Sequence, residues 1–155
     1  MQPPLLAPPI TSSLNPRSAE FAENRAAMLE KLEVIEQLHD EAEAGGGPQR
    51  HERLAKRGKL PVRERIALAL DPASPFLEIS SLAGYNSDYA MGGGAVLGIG
   101  VIAGVECVIF ANDPTVLGGA LTPYVAKKWM RALEIARDNR IPYVSFVESA
   151  GADLR

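Results

Sequence analysis

Two short segments rich in small residues could do chemistry with their main-chain amides. One is residues 112–119, Asn-Asp-Pro-Thr-Val-Leu-Gly-Gly, and the other is residues 148–152, Glu-Ser-Ala-Gly-Ala. Each follows a predicted strand, and ligands of α/β sheets bind where strands end. Glycine and alanine leave backbone N–H groups unshielded, and the first segment also precedes a predicted helix N-terminus, which favours negative charge. The pattern predicts an anion site or an oxyanion hole.

Catalysis by side chains is not visible in the sequence. Ser149 lacks the Gly-x-Ser-x-Gly surroundings of a hydrolase nucleophile, and both histidines, His39 and His51, fall in charged helical segments. The glycine run at residues 92–98 precedes a predicted strand, whereas a dinucleotide-binding run follows one. One cysteine and two histidines cannot supply a tetrahedral metal site, so we expect no metal in this chain.

A hairpin must position the first of these segments. Ala95–Ile102 and residues 105–111 are rich in Val and Ile and flank Ala103 and Gly104, which is the spacing of a tight two-residue hairpin. Most side chains on both faces are apolar, which predicts a sheet covered on both sides. Cys107 lies inside the second strand and is predicted to be a buried, inert thiol.

A helix and a further strand must position the second segment. Thr122 is a predicted N-cap, Pro123 suits the first helical position, and the helix is expected to end at Asn139. Trp129 fits the apolar stripe of this helix and is predicted to fill the core. Residues 141–147 indicate a buried strand that lies parallel to its neighbour across a right-handed connection. The order of elements predicts an α/β layer architecture.

The N-terminal region is predicted to be helical after a tail. Residues 1–17 contain repeated prolines and indicate a flexible tail. Residues 18–44 show helical periodicity, with Ser18 as N-cap and the Gly-Gly-Gly-Pro run at 45–48 as the stop. The apolar stripe of so long a helix needs a cover, and we expect a partner subunit to provide it.

The charge reverses after this helix. Residues 50–65 carry seven Lys or Arg side chains against two Glu. Two interpretations remain open: the solvated surface of two helices, and a patch that binds the phosphates of a nucleotide. Pro61 favours a helix over residues 63–70, and a short strand is expected at 76–80.

Composition limits the classes of protein. The chain has 155 residues, of which 46% are hydrophobic and 23% charged, and this predicts one packed core. A net charge of −3 argues against nucleic acid or an anionic membrane as partner. No uninterrupted apolar run has the length of a membrane helix, and residues 1–15 do not resemble a secretory signal. The cytoplasm is therefore the expected location.

Five segments at consistent spacing resemble one protein family. They are residues 57–66, 71–78, 104–107, 112–119 and 148–152. Through these segments the sequence is similar to the carboxyltransferase β subunit of biotin-dependent acyl-CoA carboxylases, nearest the methylcrotonoyl-CoA and propionyl-CoA carboxylase branch. The similarity extends from about Ala27 to the last residue.

This resemblance implies an α/β fold of the crotonase-like (ClpP/crotonase) spiral type, present as an incomplete N-terminal part preceded by helices. Residues 18–75 would be a helical extension, and residues 76–155 the first part of the carboxyltransferase N-domain. The implied reaction moves a carboxyl group from carboxybiotin to the α-carbon of an acyl-CoA, with biotin supplying the base. The backbone amides of Ala150 and Gly151 would form the oxyanion hole for the enolate. Further residues implied to bind acyl-CoA are Thr115, Gly118, Gly119 and Ser149.

The sequence departs from the family pattern in two ways. Ala150 stands where the family usually has glycine, and its added methyl is tolerated only if φ is negative. Family members are also several times longer and have a second crotonase-like half, so we expect this chain to be inactive alone.

The resemblance also implies partners. These are acyl-CoA, a biotin carboxylase or biotin-carrier subunit, and further copies in a homo-oligomer that assembles through the missing C-terminal half. An alternative is a non-catalytic module whose helix at 18–44 docks on an intact carboxylase paralogue. A crotonase-fold hydratase is disfavoured because no suitably placed Glu follows a glycine turn.

Overall fold

The structure, a computed structural model, describes residues 11–154. It separates into one unit up to Glu36 and a second unit from Gln37 onward. Most of the predicted tail, residues 1–10, lies outside the described residues. The elements in chain order are α1 (Ala19–Ala44), α2 (Pro48–Ala55), α3 (Val62–Ala69), β1 (Leu77–Glu78), β2 (Ala95–Ile102), β3 (Val105–Asn112), a 3₁₀ turn (Leu117–Gly119), α4 (Pro123–Asn139) and β4 (Tyr143–Phe146).

Helix α1 begins and ends as the sequence predicts. The Ser18 hydroxyl accepts a hydrogen bond from the Phe21 N–H at 3.2 Å, which confirms the N-cap. After Ala44 the chain turns at Gly45, whose φ of 53° is the left-handed conformation that ends many helices. The apolar stripe of α1 is 43–57% exposed, so the partner expected to cover it stays a prediction. Its side chains are Met28, Leu29, Leu32 and Ile35.

The four strands form one sheet in the order β1-β2-β3-β4. Strands β2 and β3 pair antiparallel along their whole length, from Ala95 opposite Asn112 to the tip, which confirms the predicted hairpin. Strand β4 runs parallel to β3, with Tyr143 opposite Val108, as predicted for a connection through a helix, but it is shorter than residues 141–147 and only partly buried. Because β3 and β4 are parallel neighbours, the segments that follow them leave the same edge of the sheet.

The hairpin tip is held by a side chain from outside the sheet. Ala103 and Gly104 both have positive φ, 51° and 75°, as a two-residue turn between twisted strands requires. The two carboxylate oxygens of Asp71 accept from these two backbone N–H groups, each at 2.7 Å. This contact fixes the segment that follows α3 against the end of the hairpin.

Both faces of the sheet are covered, as the apolar strands predict. Alternate residues of β3 point to opposite sides, so Val108 and Phe110 pack with α4, while Cys107 and Ile109 pack with α3. Cys107 is buried, in agreement with the sequence analysis. Strand β1 is shorter than predicted, since only Leu77–Glu78 pair with β2.

Helix α4 confirms its predicted start and corrects one prediction. The Thr122 hydroxyl accepts from the Val125 N–H at 3.2 Å, and Pro123 occupies the first turn. Trp129 is 41% exposed, so the prediction that it fills the core is wrong. It borders an apolar groove beside β4, where Val147 is also exposed. Helical periodicity placed Trp129 within the apolar stripe, whereas the face of α4 that packs on the sheet is formed by Val125, Lys128, Ala132 and Ala136 and leaves Trp129 outside.

Candidate active site

The segment 112–119, here called the 112–119 loop, is organised by the Asp113 carboxylate. Its Oδ1 atom accepts from the N–H of Thr115 at 2.9 Å and from the hydroxyl of Thr115 at 2.6 Å. The same hydroxyl accepts from the Gly46 N–H, and the Thr115 carbonyl accepts from Arg50 Nη1, both at 3.0 Å. Thr115 is 2% exposed. Its hydroxyl is therefore engaged by protein groups. The predicted contact between Thr115 and a substrate stays a prediction.

The two glycines of this loop have different surroundings. Gly118 is exposed, with a φ of 65°, and its carbonyl faces the second segment. Gly119 is buried, with a φ of 74°, and a Cβ there would overlap the carbonyl group of Glu148. The side-chain amide of Asn112 donates to the Gly119 carbonyl at 3.1 Å. These glycines let the loop approach the end of β4 closely.

The second segment, here called the 148–152 turn, brings the predicted oxyanion residues beside the 112–119 loop. Ser149, Ala150 and Gly151 are all exposed. The Ala150 N–H donates to the Gly118 carbonyl at 3.0 Å. The Gly151 N–H donates to the Ser149 hydroxyl oxygen at 3.2 Å, and the Gly151 carbonyl accepts from the Leu121 N–H at 2.8 Å. The structure thus places five of the six predicted site residues around one contact, with Thr115 in the adjoining wall.

The expectation that both turn amides are unshielded is wrong in this structure. The Ala150 amide is paired with the Gly118 carbonyl, and the distance of 3.0 Å is that of a normal hydrogen bond. The Gly151 amide is paired with the Ser149 hydroxyl, which is exposed and also donates to the Gly151 carbonyl at 3.3 Å, so that rotation of this one side chain releases the amide. Ala150 is not among the described residues with positive φ, so its methyl group brings no left-handed strain. The two predicted donors therefore differ in how readily they can be released.

A basic cavity of about 500 Å³ opens beside this contact. Its walls combine the basic side chains of α2 and the segment after it with the 112–119 loop and the 148–152 turn. Four cationic side chains face one carboxylate, that of Glu148, which gives the cavity an excess of positive charge. Such a cavity can bind a ligand that carries several anionic groups. The four cations are Arg50, Arg53, Arg57 and Lys59.

Glu148 links the cavity to the protein interior. Its Oε1 atom lies 2.5 Å from Lys59 Nζ, and its Oε2 atom lies 3.4 Å from Arg65 Nη1. The sequence analysis named Glu148 as part of the turn but did not predict these ion pairs. Two features of the sequence could have indicated these ion pairs. They are the excess of Lys and Arg over residues 50–65 and the single carboxylate, that of Glu148, just after a predicted strand.

Lys128 is a buried cation that the sequence analysis missed. It is 3% exposed, and its ammonium group donates to the carbonyls of Gly92 at 3.0 Å and Ala95 at 2.5 Å. Burial lowers the pKa of Lys128 to about 8, while the charge of Glu78 opposes this shift and that of Arg63 adds to it. The signal in the sequence was a lysine three residues after Val125, on the inward face of α4.

Comparison with known proteins decides the family. Residues 53–155, which include α3, the sheet, the 112–119 loop and the 148–152 turn, match the carboxyl transferase domain. The chain belongs to the carboxyl transferase domain family. The predicted resemblance is confirmed, and the match begins inside α2, so it contains Arg57, Lys59 and both loops of the candidate site.

Curated relatives of this carboxyl transferase domain are β subunits of acyl-CoA carboxylases. A probable biotin-dependent acyl-coenzyme A carboxylase beta2 subunit of Mycobacterium tuberculosis is 49% identical over 145 residues, which are 94% of this chain and 27% of the relative. A probable methylcrotonoyl-CoA carboxylase beta chain of Drosophila melanogaster is 44% identical over 92% of this chain and 25% of the relative. The chain thus spans about a quarter of the length of these relatives.

Solved structures confirm the fold of the carboxyl transferase domain. The β subunit of geranyl-CoA carboxylase from P. aeruginosa is 43% identical, with a TM-score of 0.81 over 95% of this chain and 28% of that chain. Transcarboxylase 12S, whose structure is described as a hexamer assembly with methylmalonyl-coenzyme A bound, is 29% identical, with a TM-score of 0.75 over 82% of this chain and 26% of its own. The α/β crotonase-like assignment is therefore correct.

Two further features of this carboxyl transferase domain concern metals and membranes. Among residues 11–154, no group of three or more His, Cys, Asp or Glu side chains is placed to hold a metal ion. Within the same range, no helix combines the length and the apolar character needed to cross a bilayer.

Proposed function

We propose that this chain is the acyl-CoA-binding part of a carboxyltransferase that transfers a carboxyl group from carboxybiotin to the α-carbon of an acyl-CoA. The observation that carries the proposal is the basic cavity, whose wall includes both a cluster of cations and the 148–152 turn. One ligand can therefore place anionic groups on the cations and a carbonyl oxygen near the turn. Coenzyme A thioesters have both kinds of group.

The cations suit the phosphates of coenzyme A. Arg53 on α2 and Arg57 in the segment after it are exposed and line the cavity, so they can contact a ligand without leaving another protein group unpaired in the interior. Guanidinium groups bind phosphate oxygens through two parallel hydrogen bonds. Arg50 also lines the cavity, but one of its nitrogens is used to hold the Thr115 carbonyl. We therefore assign the phosphates first to Arg53 and Arg57.

The turn suits the thioester carbonyl. Loss of the α-proton of the acyl group moves the C–H electron pair into an enolate, and negative charge collects on the thioester oxygen. The Gly151 N–H becomes free for this oxygen once the Ser149 hydroxyl rotates away. The Ala150 N–H can contribute only after its bond to Gly118 opens. A donor aimed at developing charge typically accelerates such a step by about 10²–10³.

The remaining steps need groups that this chain does not supply. Carboxybiotin would enter as a substrate on a carrier subunit, and it would provide the carboxyl group and accept the proton. The chain spans about a quarter of its relatives, so we propose that a further half completes the site and supports a homo-oligomer. We also propose that the whole assembly, including its biotin carboxylase or carrier partner, acts in the cytoplasm.

A second candidate function rests on α1. Its apolar stripe is about half exposed along Met28, Leu29, Leu32 and Ile35. Exposed apolar stripes of this kind often mark protein contacts. The chain would then be a non-catalytic module that docks on an intact carboxylase.

Calorimetry with coenzyme A separates the two functions. The acyl-CoA-binding proposal expects the 155-residue chain to bind coenzyme A, and to bind dephospho-coenzyme A, which lacks one phosphate, more weakly. It also expects carboxylation of propionyl-CoA or methylcrotonoyl-CoA when this chain is joined to all of a relative's sequence beyond the matched quarter and supplied with a biotin carboxylase and a biotin carrier. A chain that copurifies with a carboxylase but binds no coenzyme A would favour the docking function.

A further inference from the structure

Arg65, on α3, contacts residues at the ends of both parallel strands, β3 and β4. Its Nη2 atom donates to the carbonyl of Asn112, the last residue of β3, at 2.8 Å. Its Nη1 atom lies 3.4 Å from the carboxylate of Glu148, two residues after β4. The side chain is only 20% exposed, and Arg65 is not among the residues that line the basic cavity. Its charge is thus used on the protein rather than on a ligand.

These contacts close a ring around the candidate site. From Asn112 the ring continues through its side-chain amide to the Gly119 carbonyl at 3.1 Å. Adjacent Gly118 accepts from the Ala150 N–H at 3.0 Å, and Ala150 lies two residues after Glu148. The ion pair between Glu148 and Arg65 closes the ring. One guanidinium group therefore contacts both segments of the ring. The separation of these segments decides whether the Gly118 carbonyl and the Ala150 N–H can form their hydrogen bond.

The environment of Arg65 indicates that this arrangement is specific. Its Nε atom is buried and has no hydrogen-bond partner among residues 11–154. An unpaired buried N–H costs free energy, so the two Nη contacts must outweigh it. Lys59 also pairs with Glu148, but its side chain is 49% exposed and lines the cavity, where an anionic ligand can compete for it. Arg65 is the less exposed of the two cations that pair with Glu148.

We propose that Arg65 is a positioning residue that fixes the distance between the 112–119 loop and the 148–152 turn, and thereby the orientation of the turn amides. Its effect on acyl-CoA is indirect, through Asn112 and Glu148. This part of the inference rests on the proposed function, whereas the effect on the amides does not. A lysine cannot replace Arg65, because a single ammonium group lacks the two-pronged geometry that reaches both strand ends.

Arg63 provides a matched control on the same helix. It lies two residues before Arg65, its side chain is 26% exposed, and it pairs with the Glu78 carboxylate through Nη2 at 2.8 Å and Nε at 3.2 Å. Arg65→Met and Arg63→Met each remove one half-buried arginine that contacts a carboxylate. Only Arg65→Met removes a link between the strand ends. A general loss of stability would affect both variants alike.

The test compares the two variants by NMR and hydrogen exchange on the 155-residue chain without ligand. In Arg65→Met we expect shifted amide resonances and faster exchange at Ala150 and Gly119, and in Arg63→Met unchanged values there. Arg65→Lys retains the charge but should still show the shifted amide resonances at Ala150 and Gly119. It therefore replaces Arg65→Met in the test if that variant fails to fold. Equal shifts at Ala150 in the Arg63 and Arg65 variants, or none in either Arg65 variant, would overturn the proposal.

Calorimetry with propionyl-CoA gives a second readout, because its thioester carbonyl is the group that we place at the turn amides. Residues that act on a ligand through others typically change affinity by about 2- to 30-fold. We expect Arg65→Lys to raise the Kd for propionyl-CoA within this range and Arg63→Lys to leave it unchanged. If the unmodified chain binds no propionyl-CoA, the proposed function fails, while the amide shifts still decide the role of Arg65. If it binds and Arg65→Lys binds equally well, the role of Arg65 toward acyl-CoA is overturned.

Discussion

Gly119 packs directly against the main-chain carbonyl of Glu148. The contact joins the 112–119 loop to the 148–152 turn without any side chain at 119, and it exists only because glycine has no Cβ. Gly119 also has a φ of 74°, so both its size and its backbone conformation favour glycine. The two loops of the candidate site are therefore held by close backbone contact as well as by hydrogen bonds.

Replacing Gly119 should separate these loops. We expect Gly119→Ala to lower the free energy of unfolding by about 1–3 kcal/mol through overpacking, in addition to about 1 kcal/mol for the positive φ. Gly104→Ala is the control, because Gly104 has a φ of 75° but open space around its Cβ position. Urea unfolding measures both. Equal losses in the two variants would show that the Glu148 contact contributes nothing.

Lys128 should make stability depend on pH. Its pKa is about 8 in the folded chain and 10.5 as the ordinary value, so between these values the unfolded chain holds a proton that the folded chain has released. Stability therefore rises with pH over this window, by roughly 3 kcal/mol in full. Below pH 8 the ammonium is charged in both states and the contribution is constant.

The variant that isolates this effect is Lys128→Met, compared with Lys127→Met. We expect the rise in unfolding free energy between pH 8 and 10 to persist in Lys127→Met, where the exposed neighbour is removed, and to disappear in Lys128→Met. Chemical unfolding followed by circular dichroism at each pH provides the measurement. An unchanged slope in Lys128→Met would mean that Lys128 does not titrate in this range.

The Ser149 hydroxyl should protect the Gly151 amide. In Ser149→Ala the acceptor at 3.2 Å is lost, and a hydrogen bond of this kind contributes roughly 1 kcal/mol. We expect the Gly151 amide to exchange about 2- to 10-fold faster. The Ala150 amide, which is bonded to Gly118, serves as internal reference and should keep its rate. Faster exchange at Ala150 alone would reverse the order of release that we assign to the two donors.

The exposed arginines of α2 and of the segment after it should determine affinity for coenzyme A. Arg57→Gln removes one cation of the basic cavity and should raise the Kd by about 5-fold at low salt, with a smaller effect at high salt. Lys56→Gln is the control, because Lys56 pairs with Glu52 on α2 and does not line the cavity. Calorimetry at two salt concentrations tests the prediction. A Kd that responds equally to both substitutions would indicate general attraction rather than a phosphate site.

The sequence predicted the elements whose signals are local. The hairpin follows from two Val- and Ile-rich stretches around Ala103 and Gly104, and the start of α4 from Thr122 and Pro123, because these residues act on their own neighbours. The family resemblance implied that both loops line one acyl-CoA site, and that role stays a prediction. The predicted domain boundaries stay predictions.

Features set by distant residues could not be predicted. The Ala150 amide is occupied by a carbonyl 32 positions earlier in the sequence, and no pattern around Ala150 indicates this pairing. Lys128 lies inside, where its ammonium group donates to the Gly92 carbonyl, while Trp129 next to it is exposed. Periodicity assigns a face to each residue, but the depth of packing decides which residues at the border are buried.

The hairpin tip keeps Ala103 at a φ of 51°, a conformation that a residue with a Cβ adopts at a cost. Asp71 offsets that cost by accepting from two successive amides. Sequence drift at this position should accordingly run toward glycine or asparagine, which relax the backbone, as long as an acid remains at 71. Loss of the acid first would leave Ala103 in a costly conformation without the two hydrogen bonds that Asp71 accepts, so the order of the two changes matters.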